Sequence, residues 1–159
     1  MSSPGLRRRT PEPAEHRDAL AAALDEVAAE SFFAYVEPLD GDVTAGDDAW
    51  LEVEVGFAGA FGGALRVVLP EPLAHELHAS FLGREPGRTP PDRELFDLAG
   101  EFGNMVCGRW LTRACGRRRF NLRAPLVHRS GPPPPDPDAL CVAINGRPAW
   151  LRIRFEAAP

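Results

Sequence analysis

Apolar residues recur at helical spacing in three stretches of this chain and at strand spacing in at least five others. From Ala14 to about Tyr35, residues Leu20, Leu24, Val27, Ala28 and Phe32 fall on one side of a long amphipathic helix. Pro38 and the Asp40-Gly41-Asp42 turn are expected to end it. At 49–57 the period shortens to two, with Leu51, Val53, Val55 and Phe57 alternating with Glu52 and Glu54, as in a half-buried strand. Gly56, Gly59, Gly62 and Gly63 lead into a second strand at 64–69. Their spacing is not G-x-G-x-x-G and no helix follows, so a hairpin is expected rather than a phosphate-binding loop.

Pro70-Glu71-Pro72 opens a second helix over 73–82, closed by Gly83. A proline-rich linker, 86–91, leads to a third helix over Asp92–Cys115, with Asp92 as its expected N-cap. The segment 120–127 reads as extended and contains Pro125, and Pro132–Pro135 fall in an irregular loop. The chain then forms a hairpin, 140–144 and 150–155, around Asn145-Gly146, the strongest short hairpin signal. Together these elements predict an α/β (α+β layered) domain over 14–157, with helices packed on a largely antiparallel sheet. A disordered Pro- and Arg-rich arm is expected at 1–13.

Composition narrows the chemistry. The chain has 159 residues, of which 44% are hydrophobic and 26% charged, the profile of one ordinary globular domain. No apolar run reaches the roughly 18 residues of a membrane span, and no signal-type apolar core follows Arg7-Arg8-Arg9, so a cytoplasmic protein is expected. All 18 basic residues are arginine, which removes Schiff-base and P-loop lysine mechanisms. A net charge of −5 argues against nucleic-acid binding. The basic run Arg117-Arg118-Arg119 reads as a solvated helix end or a docking patch. Cys107, Cys115 and Cys141 lack metal spacing and are odd in number, so neither structural disulfides nor zinc are expected. Cys107 is expected to be a small buried hydrophobe. His75 and His78 are three residues apart, but no third metal ligand is in view.

The third helix holds the most informative pattern. At about 100° per residue, Asp97, Glu101, Asn104 and Gly108 fall within a sector of roughly 60°. Leu95, Ala99, Phe102, Val106 and Trp110 centre on the opposite side. Asn is a poor helix-interior residue because its amide competes for backbone hydrogen bonds. Glu101 and Asn104 are therefore either an ordinary solvated face or a small polar device presented to a partner.

The order helix, strand hairpin, helix, then a helix carrying D-x-x-x-E-x-x-N and a downstream proline resembles the CheC/CheX/FliY family of chemotaxis phosphatases, most closely its single-site CheX branch. The matching residues are Asp97, Glu101, Asn104 and Pro125, with Gly-Asn-Met-Val-Cys-Gly around Asn104 and Ser31-Phe32-Phe33 at the end of the first helix. Twenty residues lie between Asn104 and Pro125, slightly fewer than is usual in the family. The resemblance implies hydrolysis of the phospho-aspartate of a response-regulator receiver domain such as CheY. It implies that Asn104 orients the attacking water and that Glu101 pairs with a lysine of the receiver. Asp97 and Gly108 would have supporting parts: Asp97 by holding Glu101 or capping the helix, and Gly108 by allowing close approach. No cofactor or metal of the chain's own is implied, Mg²⁺ being held by the receiver. Family relatives also imply a homodimer, for which the C-terminal hairpin with Trp150 would offer a sheet edge. A non-catalytic receiver-binding or scaffold module on the same fold is the alternative.

Overall fold

The computed structural model describes residues 13–39, 48–85, 87, 89–116 and 118–156. Three helices, α1 (Pro13–Phe32), α2 (Glu71–Leu82) and α3 (Asp92–Cys115), pack on one face of a seven-stranded sheet. The strands are β1 (Val36–Pro38), β2 (Trp50–Gly59), β3 (Gly63–Pro70), β4 (Phe120–Leu122), β5 (Leu126–Ser130), β6 (Leu140–Ile144) and β7 (Arg147–Phe155). Every pairing is antiparallel, in the order β1-β6-β7-β3-β2, and β4 and β5 follow one another along the outer side of β2. The α+β layering read from the pattern is the architecture found. No helix among the described residues is long and apolar enough to cross a membrane.

The period-two rhythm explains the core. Leu51, Val53, Val55 and Phe57 of β2 face the helices, as do Leu65, Val67 and Leu69 of β3, and Leu151 and Ile153 of β7. The helices answer with Leu20, Leu24, Val27 and Phe32 from α1, Leu73 and Leu77 from α2, and Phe102, Val106 and Trp110 from α3. Arg109 on α3 holds α1 through Glu26 at 2.6 Å and Glu30 at 3.2 Å, and Arg113 also pairs with Glu26.

The opposite face of the sheet is partly covered. The connection from β5 to β6 must cross the sheet, and it does so outside: Asp136 takes Arg152, while Ala139 packs on the buried cluster of Trp50, Val68 and Trp150. On the same face Glu52 binds Arg66 and, at 2.7 Å, His128.

Several expectations are corrected. The first helix stops at Phe32 rather than Tyr35, because Phe33 turns to a left-handed φ of 52° and Ala34 donates back to the Ala28 carbonyl at 2.9 Å. Pro38 does not end that helix; it lies in β1, a short strand held on β6 and absent from the sequence reading. Tyr35 is fixed there by Asn145, whose Oδ1 accepts from the Tyr35 amide at 3.1 Å. The hairpin turn is as expected, with Asn145 at φ 49° and Gly146 at 79°, the type I′ signature. The extended segment 120–127 is two strands, interrupted at Arg123-Ala124-Pro125. The C-terminal hairpin is not a free sheet edge: β7, with Trp150, pairs with β6 on one side and β3 on the other. The sheet margins are instead β1 and the broken β4–β5 pair. Of the arm expected at 1–13, Pro13 instead begins α1, and residues 1–12, like the Asp40-Gly41-Asp42 turn, lie outside the described residues.

α3 reaches β2 through missing side chains. A Cβ on Gly103 would lie 2.8 Å from Val53 Cγ1 and 3.2 Å from Val55 Cγ2. Gly103→Val should therefore overpack the interface and lower stability by about 1–3 kcal/mol, seen as an earlier urea midpoint at unchanged m-value.

Candidate functional site

The ridge forecast on α3 is present as a surface. Asp97 and Glu101 are exposed, Asn104 and Gly108 are half-buried, and Leu95, Ala99, Phe102, Val106 and Trp110 are all buried beneath them. None of Asp97, Glu101 and Asn104 has an ion pair or side-chain hydrogen bond among the described residues. Asn104 Oδ1 is buried without a donor, a costly state for an amide acceptor.

The start of α3 differs from expectation. Pro91, not Asp92, occupies the N-cap, and no side chain caps the helix. Asp92 lies in the first turn, where a carboxylate suits the helix dipole, and gives both oxygens to Arg129 of β5 at 2.9 and 3.0 Å. Arg129 also donates to Glu71 of α2 at 2.6 Å and lies over the Phe96 ring at 5.3 Å. One guanidinium thus joins the starts of α2 and α3 to the edge strand. Its hydrogen bonds hold the Asp92 carboxyl below the usual carboxylate range.

The ridge is bordered on both sides. Toward β4–β5, a hollow of about 470 Å³ is lined by Gly100, Glu101, Asn104 and Pro125, among others. A second of about 350 Å³ continues past Asn104 to Met105 and Leu122. Toward α2, a groove of about 390 Å³ runs from Phe81 and Leu82 to Asp97 and Glu101. Pro125 is brought directly to the site, since a Cβ on Gly100 would meet its Cγ at 2.9 Å. A proline has no N–H to leave unpaired where the edge strand breaks, and the break lets its ring rest on α3 one turn before Asn104.

Gly108 has a looser setting. A Cβ there would meet only Leu122, at 3.9 Å, so close approach within this chain is made by Gly100 and Gly103. The signal for those two was available as small residues three apart on the packed side of the helix. Phe81 and Leu82, an apolar pair just before the closing Gly83, are both exposed.

Other candidate groups have structural settings. Cys107 is buried under the ridge, and burial pushes its thiol up to about 12, so it is protonated at neutral pH and is no nucleophile. His78 is only 7% exposed, with Nε2 3.7 Å from Glu94, and His75 is half-buried. Among the described residues no group of three or more His, Cys, Asp or Glu side chains is arranged to hold a metal. Arg118 and Arg119 are exposed beyond the helix end, and Arg117 lies outside the described residues.

Residues 53–134, just over half of the 159-residue chain, match the family described as chemotaxis phosphatase CheX. Similar solved structures include chemotaxis protein CheX from Vibrio vulnificus, 22% identical, covering 92% of this chain and 100% of that one with a TM-score of 0.67. CheX from Desulfovibrio desulfuricans is 18% identical over 89% of this chain and 99% of its own, with a TM-score of 0.66. The CheX–CheY–BeF3–Mg²⁺ complex from Borrelia burgdorferi gives 16% identity, 93% and 100% coverage, and a TM-score of 0.60. At these identities the likeness establishes the fold. No curated protein sequence matches the chain.

Two measurements test the setting of the ridge. Asp92 has a folded pKa below its unfolded one, so its pairing stabilises the fold above the ordinary carboxylate range and is lost as pH falls through the lowered value. Arg129→Ala should accordingly lower the melting temperature at pH 7, and the gap from the wild type should narrow as the pH drops below about 4. Iodoacetamide at pH 8 should leave Cys107 unmodified in the native protein and modify it after denaturation, as peptide mass spectrometry will show.

Proposed function

This chain belongs to the chemotaxis phosphatase CheX family, and from that premise we propose that it hydrolyses the phospho-aspartate of a response-regulator receiver domain. The supporting observation is the ridge itself. An amide and a carboxylate stand one helical turn apart, without side-chain partners among the described residues, on a helix flanked by open hollows. A solvated helix face has no use for an amide whose oxygen is left without a donor.

Hydrolysis of an acyl phosphate requires a water placed in line with the bond from phosphorus to the aspartate oxygen. The water oxygen bonds to phosphorus, the aspartate leaves as a carboxylate, and the water proton departs to solvent or phosphate. Asn104 cannot take that proton, but its Oδ1 can accept a hydrogen bond from the water and aim its lone pair. In the free chain this oxygen is turned inward. A half-turn about χ2, a broad two-fold torsion, would exchange it with the amide nitrogen and turn it toward the hollows on the β4–β5 side. Glu101 would pair with the receiver's lysine and set the register of docking. The receiver supplies Mg²⁺, which balances charge on the phosphoryl group. Asp97 would support Glu101 from one turn earlier, and Gly108 would keep the end of the ridge low enough for the partner to approach.

The solved CheX–CheY–BeF3–Mg²⁺ complex from Borrelia burgdorferi supports a CheY-like partner, because that relative shares the fold. One observation favours the alternative of a binding module without turnover: the inward amide oxygen presents no acceptor in the free chain. The decay of a phosphorylated receiver, followed with and without the protein, separates the two. The wild type should accelerate decay, and Asn104→Ala should remove about 10²-fold or more of the acceleration. Glu101→Ala should weaken receiver binding. An intact rate in Asn104→Ala overturns the water-orienting role, and binding without acceleration by the wild type establishes the module.

A further inference from the structure

The groove between α2 and α3 is used by none of the steps above, yet it opens onto the ridge. Its apolar side is made by Phe81, Leu82 and Leu98, and its charged side by Glu94, Asp97 and Glu101. Phe81 is 43% and Leu82 45% exposed, a high fraction for two adjacent large apolar residues at a helix end. Phe81 is not loose, because its ring stacks on the buried Phe32 of α1 at 5.2 Å. The three carboxylates lie at positions i, i+3 and i+7 of α3, so they form a stripe along one side of the groove. Facing them are His78, 3.7 Å from Glu94, and Arg84 at the mouth. With both counted as cations the stripe is still one charge in excess, and Asp97 and Glu101 have no ion pair among the described residues.

We infer that this groove is a docking cleft for the receiver domain beside its phosphorylated aspartate, taking an apolar side chain over Phe81, Leu82 and Leu98 and a cation against Glu94 and Asp97. The inference rests on the receiver reading of the ridge. Two features of the groove identify the occupant. Glu101 belongs to both surfaces, so a receiver seated on Glu101 also covers the groove. The groove's excess negative charge complements the same kind of group, a cation, that Glu101 takes from the receiver. The partner segment is therefore an exposed apolar residue with a lysine or arginine about one helical turn from it. In this arrangement α3 supplies the chemistry and α2 supplies the choice of receiver. Anchors of this kind raise affinity and partner selectivity while leaving the reacting atoms untouched.

The test uses the full chain and CheY-type receivers, phosphorylated for turnover or loaded with beryllofluoride and Mg²⁺ for binding. Leu82→Ser should raise KM and the dissociation constant about tenfold and leave kcat within twofold. Glu94→Arg should raise KM, slow association and flatten the dependence of association on salt. Glu94 is exposed and serves as the second arm should Leu82→Ser fold poorly, as judged by its melting temperature. If both variants keep the wild-type KM and salt dependence while Asn104→Ala abolishes turnover, the docking cleft is wrong and the ridge reading stands. If the wild type neither binds nor dephosphorylates any receiver, the receiver reading itself fails. A dimeric wild type that becomes monomeric in Leu82→Ser by light scattering would make a second copy of the chain the occupant, and the inference would be overturned.

Discussion

The close seating of α3 on β2 is the constraint on which the rest of the molecule depends. Gly100 and Gly103 have no Cβ where Pro125 and Val53 stand, at 2.9 and 2.8 Å from the positions a Cβ would take. At that distance the helix axis is fixed relative to the sheet, and the ridge on its far side is fixed with it. At the break in the edge strand between β4 and β5, the Pro125 ring meets α3 at Gly100. Arg129 then secures the helix start from the same strand, through Asp92. A substitution at either glycine would therefore shift the ridge as well as lower stability.

The charged groups divide into two populations. Several arginines are committed to structure: Arg109 and Arg113 to α1, Arg129 to the helix starts, Arg147 to Glu76 at 2.8 Å, and Arg66 to Glu52. The carboxylates of Asp97 and Glu101 have been left out of this network. Asp97 and Glu101 are exposed beside an amide and have no ion pair among the described residues, which keeps them available for an outside cation. The all-arginine composition suits the structural role, because a guanidinium can bridge two carboxylates at once, as Arg129 and Arg109 do.

Most of the fold could be read from residue periodicity, and the reason is local. The stripe Leu95–Trp110, the alternation of Leu51–Phe57 and the Asn145-Gly146 turn each encode their element within a few residues. What could not be read was set by distant partners. Asp92 resembles an N-cap in sequence, but Arg129, 37 positions away, claims its carboxylate. β1 is too short to show a rhythm and exists because β6 and Asn145 hold it. Trp150 gives no hint that it lies mid-sheet, since strand order depends on the crossing connection outside. The ridge residues Asp97, Glu101, Asn104 and Gly108 were legible as a shared face. The groove beside them was not, because half of it belongs to another helix.

The two margins of the sheet have a consequence for self-association. β1 is three residues long and contains Pro38, and the opposite margin is cut into three- and five-residue pieces around Pro125. An unpaired strand is a template onto which a second chain can add its own backbone, and short, proline-bearing margins deny it length. The proline that rests on α3 beside Asn104 thus also helps to keep the edge strand from recruiting a foreign one. The same break in the backbone serves the placement of the ridge and protection against runaway sheet growth.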